Sequence, residues 1–345
     1  MRVLVDINHP AHVHLFKNLI RELERLDHQV KITSREKDLA TVLLDAYGFE
    51  HEILSTKQDG IFGLAVEYGI RVRELYRIAK SFDPDVLIGL NPAITKVAAL
   101  GGGTSIILDD TEPATLRRLL YRPLADFIVT PDCFEKDLGS KQIRYPSYQE
   151  LAYLHPARFT PDPTVYEQLS TEPDDRQVLL RLISWTSSHD IGAGGISCLK
   201  EVVKTFADTG AELMISSEEP LPGELSRYQV SIDPTDVHDV MAYSDLYVGE
   251  SPTMATESAV LGTPAVFISS STRGYINELE ETYGLVTQFT EETRTDRGLA
   301  TAVTMLEDGI DARTSRDRLL EDKVDTTSLL LDIVRNRGGP GGEVE

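Results

Sequence analysis

Residues 236–269, DVHDVMAYSDLYVGESPTMATESAVLGTPAVFIS, contain a strand, a helix and a second strand in close succession. The apolar run that ends at Val248 predicts the first strand, and PAVFIS at 264–269 predicts the second. Between them, a turn of small residues follows Gly249, and a helix is predicted over 253–262. Because two strands joined by a helix of this length lie parallel in one sheet, the stretch indicates an α/β fold.

The same alternation extends along the whole chain. In the first half, strands are predicted over 3–7, 28–33, 85–90, 104–110 and 126–131, with helices over 11–26, 38–47, 70–82 and 93–100. In the second half, strands are predicted over 177–184, 211–216, 228–232, 245–250 and 264–269. Helices are predicted there over 195–209, 236–243, 253–262, 296–308 and 314–335.

Between these halves, four prolines at 156, 161, 163 and 173 interrupt the pattern. We therefore predict two Rossmann-like, doubly wound domains that face a cleft, over 1–155 and 176–335. Residues 156–175 are predicted as a linker and 336–345 as a flexible tail. In such open sheets, ligands bind beyond the carboxyl ends of the strands, so the residues that follow each strand are the candidate site.

Composition excludes several classes of partner. The 345 residues include 56 acidic and 34 basic side chains, a formal net charge of −22, which repels nucleic acid. An acid-rich, Lys-poor composition is similar to that of halophilic, archaeal-type proteins. There is no apolar run of membrane-spanning length, and the chain opens on a strand rather than a signal peptide, so a cytoplasmic location is expected, with peripheral membrane contact left open. Cys133 and Cys198 have no CxxC neighbour and predict neither a disulfide nor a zinc site.

The predicted helix start after Gly249 is a candidate anion site, because its free N–H groups and positive dipole end favour a phosphate. Hydroxyl groups of Ser251, Thr253 and Thr256 offer further donors. Glu257 lies one turn into the helix, where its carboxylate can accept hydrogen bonds from sugar hydroxyls. The alternative is a capped helix with a solvated glutamate.

This stretch resembles the donor-binding motif of GT-B nucleotide-sugar enzymes, namely the peptidoglycan N-acetylglucosaminyltransferases and the non-hydrolysing UDP-N-acetylglucosamine 2-epimerases. The resemblance implies that Ser251, Thr253, Met254 and Ala255 meet a diphosphate and that Glu257 holds the ribose. Gly262 and Pro264 match the closing Gly-x-Pro of the motif, whereas Glu250-Ser251-Pro252 replaces its usual glycines. Over about 330 residues, from DINHPAHVHLFKNLI through DDTE and ELAYLHP to SHDIG, the chain is similar to the family called domain of unknown function 354.

Three histidines, His9, His12 and His14, follow the first strand and have three open interpretations: a catalytic turn, a metal site, or capping and packing. The match of PAHVHL to GGHVFP of the peptidoglycan enzymes implies His12 as the base that takes a proton from an acceptor hydroxyl. A metal site would need all three imidazoles to converge, and helical spacing points His14 away from His12.

Further polar residues follow two other strands. Asp109, Asp110, Thr111 and Glu112 come at the end of the strand that begins at 104. They could act as a catalytic base, bind an acceptor sugar or bind Mg²⁺, with Asp110 and Glu112 the favoured catalytic residues, and N-capping of the next helix is the alternative. RLISWTSSHDIGAGG at 181–195 offers Arg181 to a diphosphate and the side chains of Ser184, Trp185 and His189 as further ligands. Asn91 follows a third strand and is equally well explained as structural.

The leading hypothesis is a GT-B glycosyltransferase that uses a nucleotide-diphosphate sugar, of the UDP type, with the first domain on the acceptor side and the second holding the donor. The expected acceptor is a surface glycan or a lipid-linked sugar, and no metal or other cofactor is expected because a helix dipole and Arg181 hold the leaving diphosphate. The alternatives are a UDP-N-acetylglucosamine 2-epimerase and a non-catalytic sugar-nucleotide-binding protein. The sequence does not determine the oligomeric state.

Overall fold

A computed structural model describes residues 1–36, 39–56, 60–169, 171–182, 195–217, 220–221, 223–230, 232–309 and 311–337. The chain forms two compact units. The first begins at Met1 and runs to Arg158, the second extends from Phe159 to Asp322, and the chain re-enters the first unit at Lys323. The predicted boundaries differ from these units at both crossings: the first domain was predicted to end at 155, before a linker over 156–175, and the second to extend to 335.

The first unit is built on seven parallel strands in the spatial order β3-β2-β1-β4-β5-β6-β7. Its strands are β1 (Arg2–Ile7), β2 (Gln29–Glu36), β3 (His51–Thr56), β4 (Val86–Gly89), β5 (Thr104–Leu108), β6 (Phe127–Pro131) and β7 (Gln142–Tyr145). Its first helices are α1 (Pro10–Arg25), α2 (Leu39–Ala46), α3 (Gly60–Phe82), α4 (Ala93–Ala99) and α5 (Thr115–Tyr121).

The core of this sheet consists of side chains that alternate along the strands. Leu4, Leu87, Ile107 and Ile128, one from each central strand, pack against Leu75 and other apolar residues of α3 and α4. The strands β3 and β7, which the sequence patterns do not predict, are the two edge strands of the sheet. Their side chains are only partly buried, so neither strand has the continuous apolar run of a central strand.

The second unit is built on five parallel strands in the order β12-β11-β10-β8-β9. The strands are β8 (Gln177–Leu182), β9 (Glu212–Ser217), β10 (Leu246–Gly249), β11 (Ala265–Ile268) and β12 (Val286–Phe289). The helices are α6 (Gly195–Asp208), α7 (Val237–Tyr243), α8 (Pro252–Leu261), α9 (Gly274–Glu281), α10 (Arg294–Asp308) and α11 (Arg313–Asp322). Val178, Val248 and Val266 of the sheet pack against Phe206 of α6 and Leu306 of α10.

Two predicted elements of the second half differ from the structure. Among the described residues of the strand predicted over 228–232, Tyr228 ends a 3-10 helix over Gly223–Tyr228, and Gln229 makes a single bridge with Ile215. The helix predicted over 314–335 is broken into α11 and a separate helix, α12 (Thr326–Arg337), which belongs to the first unit. Asp325 explains the break, because its carboxylate accepts a hydrogen bond from the Thr327 N–H at 3.0 Å and caps the new helix.

The predicted linker, 156–175, contains a 3-10 helix over Pro163–Gln168. Tyr166 of this helix is buried, and its hydroxyl donates a hydrogen bond to Gln177 Oε1 on β8 at 2.6 Å. This part of the predicted linker therefore belongs to the second unit.

Candidate functional site

The five-stranded sheet reverses its strand order between β8 and β10, which lie side by side. Open parallel sheets bind ligands beyond the carboxyl ends of the strands at such a point. Arg181, near the end of β8, pairs in register with Gly249 at the end of β10. The Arg181 guanidinium donates a hydrogen bond through Nη1 to Ser216 Oγ on β9 at 2.9 Å. A positive charge is therefore held at the ligand-binding edge of this sheet.

Gly249 lets the backbone pass closely over this edge. A Cβ atom at this position would lie 2.9 Å from the Arg181 carbonyl oxygen and 2.5 Å from the Tyr247 hydroxyl, too close for any other residue. The Tyr247 hydroxyl donates a hydrogen bond to the Ser251 carbonyl oxygen at 3.4 Å. Burial raises the pKa of the Tyr247 phenol far above its usual value, so the group remains a protonated donor.

The start of α8 is capped by the protein itself. Ser251 is the N-cap; its hydroxyl accepts a hydrogen bond from the Met254 N–H at 3.2 Å, and its carbonyl accepts one from the Ala255 N–H at 3.0 Å. Pro252 occupies the first helical position and has no N–H. These bonds leave the Thr253 N–H as the amide of the first turn that does not take part in capping.

The residues predicted to meet a diphosphate therefore differ in exposure. Ser251, Thr253 and Met254 are half-buried at the helix start, whereas Ala255 and Thr256 are fully buried. The Thr256 hydroxyl donates to the Pro252 carbonyl at 3.0 Å within the helix. A diphosphate at this turn would thus be contacted mainly through Thr253 and the Ser251 hydroxyl. The diphosphate role of all five residues stays a prediction.

Glu257 is buried rather than solvated. Its carboxylate Oε1 lies 2.9 Å from Nε2 of His238 on α7, and both side chains are almost completely enclosed. Because a carboxylate only accepts hydrogen bonds, the imidazole nitrogen is the donor. The alternative of a solvated glutamate is therefore wrong, and the predicted contact with ribose stays a prediction.

Two other predicted ligands, Ser184 and His189, lie outside the described residues, as does Trp185. Of the stretch that contains them, Arg181 is described, half-buried at the end of β8. Their predicted roles are unchanged.

The three histidines at the start of α1 occupy different environments. His9 is the N-cap of the helix, and its Nδ1 accepts a hydrogen bond from the Ala11 N–H at 3.2 Å. His14 is buried against Tyr47 and Tyr153, with ring centroids 5.9 and 5.4 Å away. Capping and packing therefore account for His9 and His14. His12 is half-buried in the first turn, with its ring 5.7 Å from that of His9.

The acids that follow β5 also differ from one another. Asp109 is fully buried and ties the loop to α5: its carboxylate accepts hydrogen bonds from Arg117, from the Tyr121 hydroxyl and from the Thr111 N–H. Asp109 is thus a structural residue. Asn91, after β4, likewise accepts a hydrogen bond from the Ala93 N–H at 2.9 Å, in the turn that leads into α4.

Asp110 is the second acid after β5. Burial raises the pKa of its carboxyl above the usual value, although the Thr111 hydroxyl, 2.8 Å away, and the Arg117 charge act in the opposite direction. Glu112 is buried, and its Oε1 accepts a hydrogen bond from the Glu135 N–H at 3.2 Å. The strand order places β4 between β1 and β5, so the ends of the strands that precede His12 and Asp110 are two strand spacings apart, roughly 10 Å.

Three further residues at these edges were not predicted from the sequence: His238 beside Glu257, Tyr247 beneath the α8 turn, and Tyr145. Tyr145 ends β7, and its hydroxyl is buried with no hydrogen-bond partner among the described residues. Burial, and then the charges of Asp110 and Glu150, raise the pKa of its phenol well above the usual value. No sequence pattern marks His238 or Tyr145 as a candidate site residue, so only the folded chain identifies them.

A family described as proteins of unknown function, DUF354, matches residues 1–337. The chain belongs to this family. This confirms the resemblance found in the sequence, and the match covers both units of the DUF354 chain. The uncharacterized protein MJ0665 of Methanocaldococcus jannaschii is 24% identical over 276 residues, which cover 76% of this chain and 80% of that protein.

Solved structures of similar fold include an epimerase and a glycosyltransferase. The UDP-GlcNAc 2-epimerase of Neisseria meningitidis, bound to UDP-GlcNAc, is 13% identical and superposes with a TM-score of 0.68 over 97% of the DUF354 chain and 100% of the epimerase. The spinosyn rhamnosyltransferase SpnG, complexed with thymidine diphosphate, is 14% identical, with a TM-score of 0.66 over 97% and 100% of the two chains. These likenesses confirm the GT-B fold class. Among the described residues, no helix has both the length and the apolar character needed to cross a bilayer.

Proposed function

We propose that this protein is a glycosyltransferase that uses a nucleoside diphosphate sugar as donor. The observation that carries the proposal is the cluster at the end of β8, β9 and β10: the Arg181 guanidinium, the Ser216 hydroxyl and the start of α8 beyond Gly249. A guanidinium and a helix N-terminus at one sheet edge are the groups that bind a diphosphate. The enzymes of similar fold that bind UDP-GlcNAc and thymidine diphosphate support this ligand class.

In the proposed reaction, these groups stabilise the leaving diphosphate. As the bond between the anomeric carbon and the diphosphate oxygen breaks, both electrons leave on the diphosphate, whose charge is balanced by Arg181 and the α8 dipole. Under this proposal, the leaving group needs no metal ion and the protein no further cofactor. Thr253 and Ser251 supply hydrogen bonds at the helix start, and Ser184 and His189 complete the predicted donor-binding residues.

On the first unit, His12 is the proposed base. It takes the proton of an acceptor hydroxyl while the acceptor oxygen forms its bond to the anomeric carbon. Asp110 and Glu112 are the proposed acceptor-binding acids on the same sheet edge. The proposed acceptor is a glycan or a lipid-linked sugar.

Nucleotide binding tests this proposal directly. The thermal unfolding of the full-length protein is measured in high salt with UDP, UDP-N-acetylglucosamine and thymidine diphosphate. At least one nucleotide should raise the unfolding temperature of the wild type. Arg181→Gln should weaken binding of that nucleotide by tenfold or more, because a charged hydrogen bond to phosphate is lost.

Arg318→Gln is the matched control, because Arg318 also lies in the second unit but donates to the Thr282 carbonyl after α9. It should bind the nucleotide as the wild type does. The absence of any nucleotide effect on the wild type, or an Arg181→Gln variant that binds normally, would contradict the proposed donor site.

The second candidate is a sugar-nucleotide 2-epimerase. The raised pKa of Asp110 favours it, because a carboxyl with a pKa above its usual value is better suited to give and take a proton. Incubation with UDP-N-acetylglucosamine alone in D₂O separates the two candidates. Formation of the manno epimer with deuterium at C2, without an acceptor, would identify the epimerase and contradict the transferase.

A further inference from the structure

A buried imidazole and a buried carboxylate meet between α7 and α8. Glu257 and His238 retain 5% and 2% of their exposure, and Nε2 of the imidazole lies 2.9 Å from Oε1 of the carboxylate. Because an enclosed carboxylate without a donor is costly, the His238 N–H compensates part of the desolvation of Glu257. The bond also fixes the direction of the carboxylate.

Glu257 lies one helical turn beyond the start of α8. It follows Thr253 by four residues, so the two lie on the same face of the helix, one turn apart. The Thr253 N–H is the amide of the first turn that the capping bonds of Ser251 do not use. A diphosphate held at Thr253 therefore has its attached pentose about one helical turn away, about 5 Å, at the level of the Glu257 carboxylate.

The imidazole is itself held in place. Phe159, the first residue of the second unit, meets the His238 ring edge-on, with centroids 6.3 Å apart and planes at 81°. A chain of contacts in which one group orients the next keeps a side chain in one geometry.

We propose that His238 is a positioning residue that orients the Glu257 carboxylate to accept a hydrogen bond from a ribose hydroxyl of the donor nucleotide. The inference rests on the proposed function. It assigns to His238 a role in the choice of nucleotide: the bound pentose must carry a hydroxyl at its 2′ or 3′ carbon. A purely structural His238 would join α7 to α8 without any effect on that choice.

The test compares the affinities of UDP and 2′,3′-dideoxyuridine diphosphate for full-length variants by calorimetry. The wild type should bind UDP about tenfold more tightly than the dideoxy nucleotide. His238→Phe keeps a ring but removes the donor, so it should reduce this preference to within about twofold while leaving the affinity for the dideoxy nucleotide unchanged. His238→Gln, whose amide N–H can replace the imidazole donor, should keep most of the preference.

The outcomes separate the inference from the proposed function. If the wild type binds neither nucleotide, the proposed function fails. If it binds both equally well, or if His238→Phe lowers both affinities by the same factor, nucleotide binding stands and the positioning role of His238 is overturned. Thermal unfolding of each variant without nucleotide checks that the second unit remains folded.

Discussion

Two tyrosines of the first unit bury their hydroxyls in opposite situations. The Tyr121 hydroxyl donates a hydrogen bond to the Asp109 carboxylate, which is fully buried. The Tyr145 hydroxyl is equally enclosed but has no partner among the described residues. A buried hydroxyl without a partner has lost its bonds to water and gained none in return, so it destabilises the fold.

Conversion of each tyrosine to phenylalanine should therefore have opposite effects. Tyr121→Phe should lower the free energy of unfolding by about 1–2 kcal/mol, because it removes a donor from a buried carboxylate. Tyr145→Phe should leave it unchanged or raise it by up to about 1 kcal/mol. Urea unfolding at neutral pH measures both, and a Tyr145→Phe variant as unstable as Tyr121→Phe would reveal a structural hydrogen bond at Tyr145.

At the scale of single residues, the place of a polar side chain in the fold was easier to predict than its hydrogen-bond partner. The rule that polar residues after strands gather at one edge directed attention to Arg181 and Asp110, whose proposed roles stay predictions. The sequence could not reveal that the Asp109 carboxylate is hydrogen-bonded to Arg117 and Tyr121, or that Glu257 is hydrogen-bonded to His238. Such pairs join residues that are far apart in sequence, and their chemistry has no local signal.

Helix α8 is defined at both ends by its own sequence. Ser251 and Pro252 begin it as N-cap and first helical residue, and Gly262 ends it with a φ of +92°, a conformation that favours glycine. At Gly262, a Cβ atom would lie 2.7 Å from Cδ of Arg316 on α11, and the Arg316 guanidinium donates to the Val260 carbonyl at 2.9 Å. The glycine therefore serves both the backbone conformation and the packing of α11.

A comparison of two glycines separates these contributions. Gly284→Ala introduces a side chain at a φ of +64° with no atom within 4 Å, so it should cost about 1–2 kcal/mol of stability through backbone strain alone. Gly262→Ala should cost about 1 kcal/mol more, because it also displaces Arg316 and its bond to Val260. Thermal unfolding measures both; equal losses would mean that Arg316 adjusts at no cost.

At the scale of elements, central strands and long helices were predictable, and edges and breaks were not. β10, α8 and β11 lie where the apolar runs and cap residues predict them. β3 and β7 are edge strands whose exposed sides weaken the pattern. The strand predicted over 228–232 shows the opposite error, since its described residues make a single bridge, at Gln229, although the sequence alternates.

Ion pairs of Arg158 connect the two points at which the chain leaves and re-enters the first unit. Arg158, the last residue before the second unit, donates hydrogen bonds to Glu22 of α1 and to Asp325, both at 2.8 Å. Asp325 begins the final helix, α12, which packs on α1. Hydrogen bonds to Arg158 lower the pKa of both carboxyls. The first unit is therefore closed by residues from both ends of the sequence.

Because both carboxyl pKa values are lowered by folding, their contribution to stability is present above the unfolded-state pKa and is lost as the pH falls through the folded-state pKa. Arg158→Gln should lower the free energy of unfolding by about 1–2 kcal/mol at pH 7. The difference from the wild type should shrink below about pH 4 as the carboxyls become protonated.

Arg25→Gln is the control, since Arg25 pairs with the same Glu22 but its side chain is 69% exposed. As expected for an exposed ion pair, it should change the free energy of unfolding by less than about 0.5 kcal/mol. A deficit in Arg158→Gln that persists unchanged at low pH would show that its packing, rather than its charge, stabilises the unit.

For the whole molecule, alternation along the chain predicted the fold class and the presence of two domains. It could not predict the return of the chain to the first unit at Lys323, because α11 and α12 read as one amphipathic stretch. The chemical nature of an acceptor could not be predicted from the sequence either. The net charge of −22 describes the protein surface as a whole and identifies no particular partner.

Arg158 and Phe159 are consecutive residues with anchors in different units. The first is clamped to α1 and the start of α12, and the second rests edge-on against the imidazole that holds Glu257. Within the second unit, a change of side chain at Phe159 would therefore act on the Glu257 carboxylate through the His238 ring.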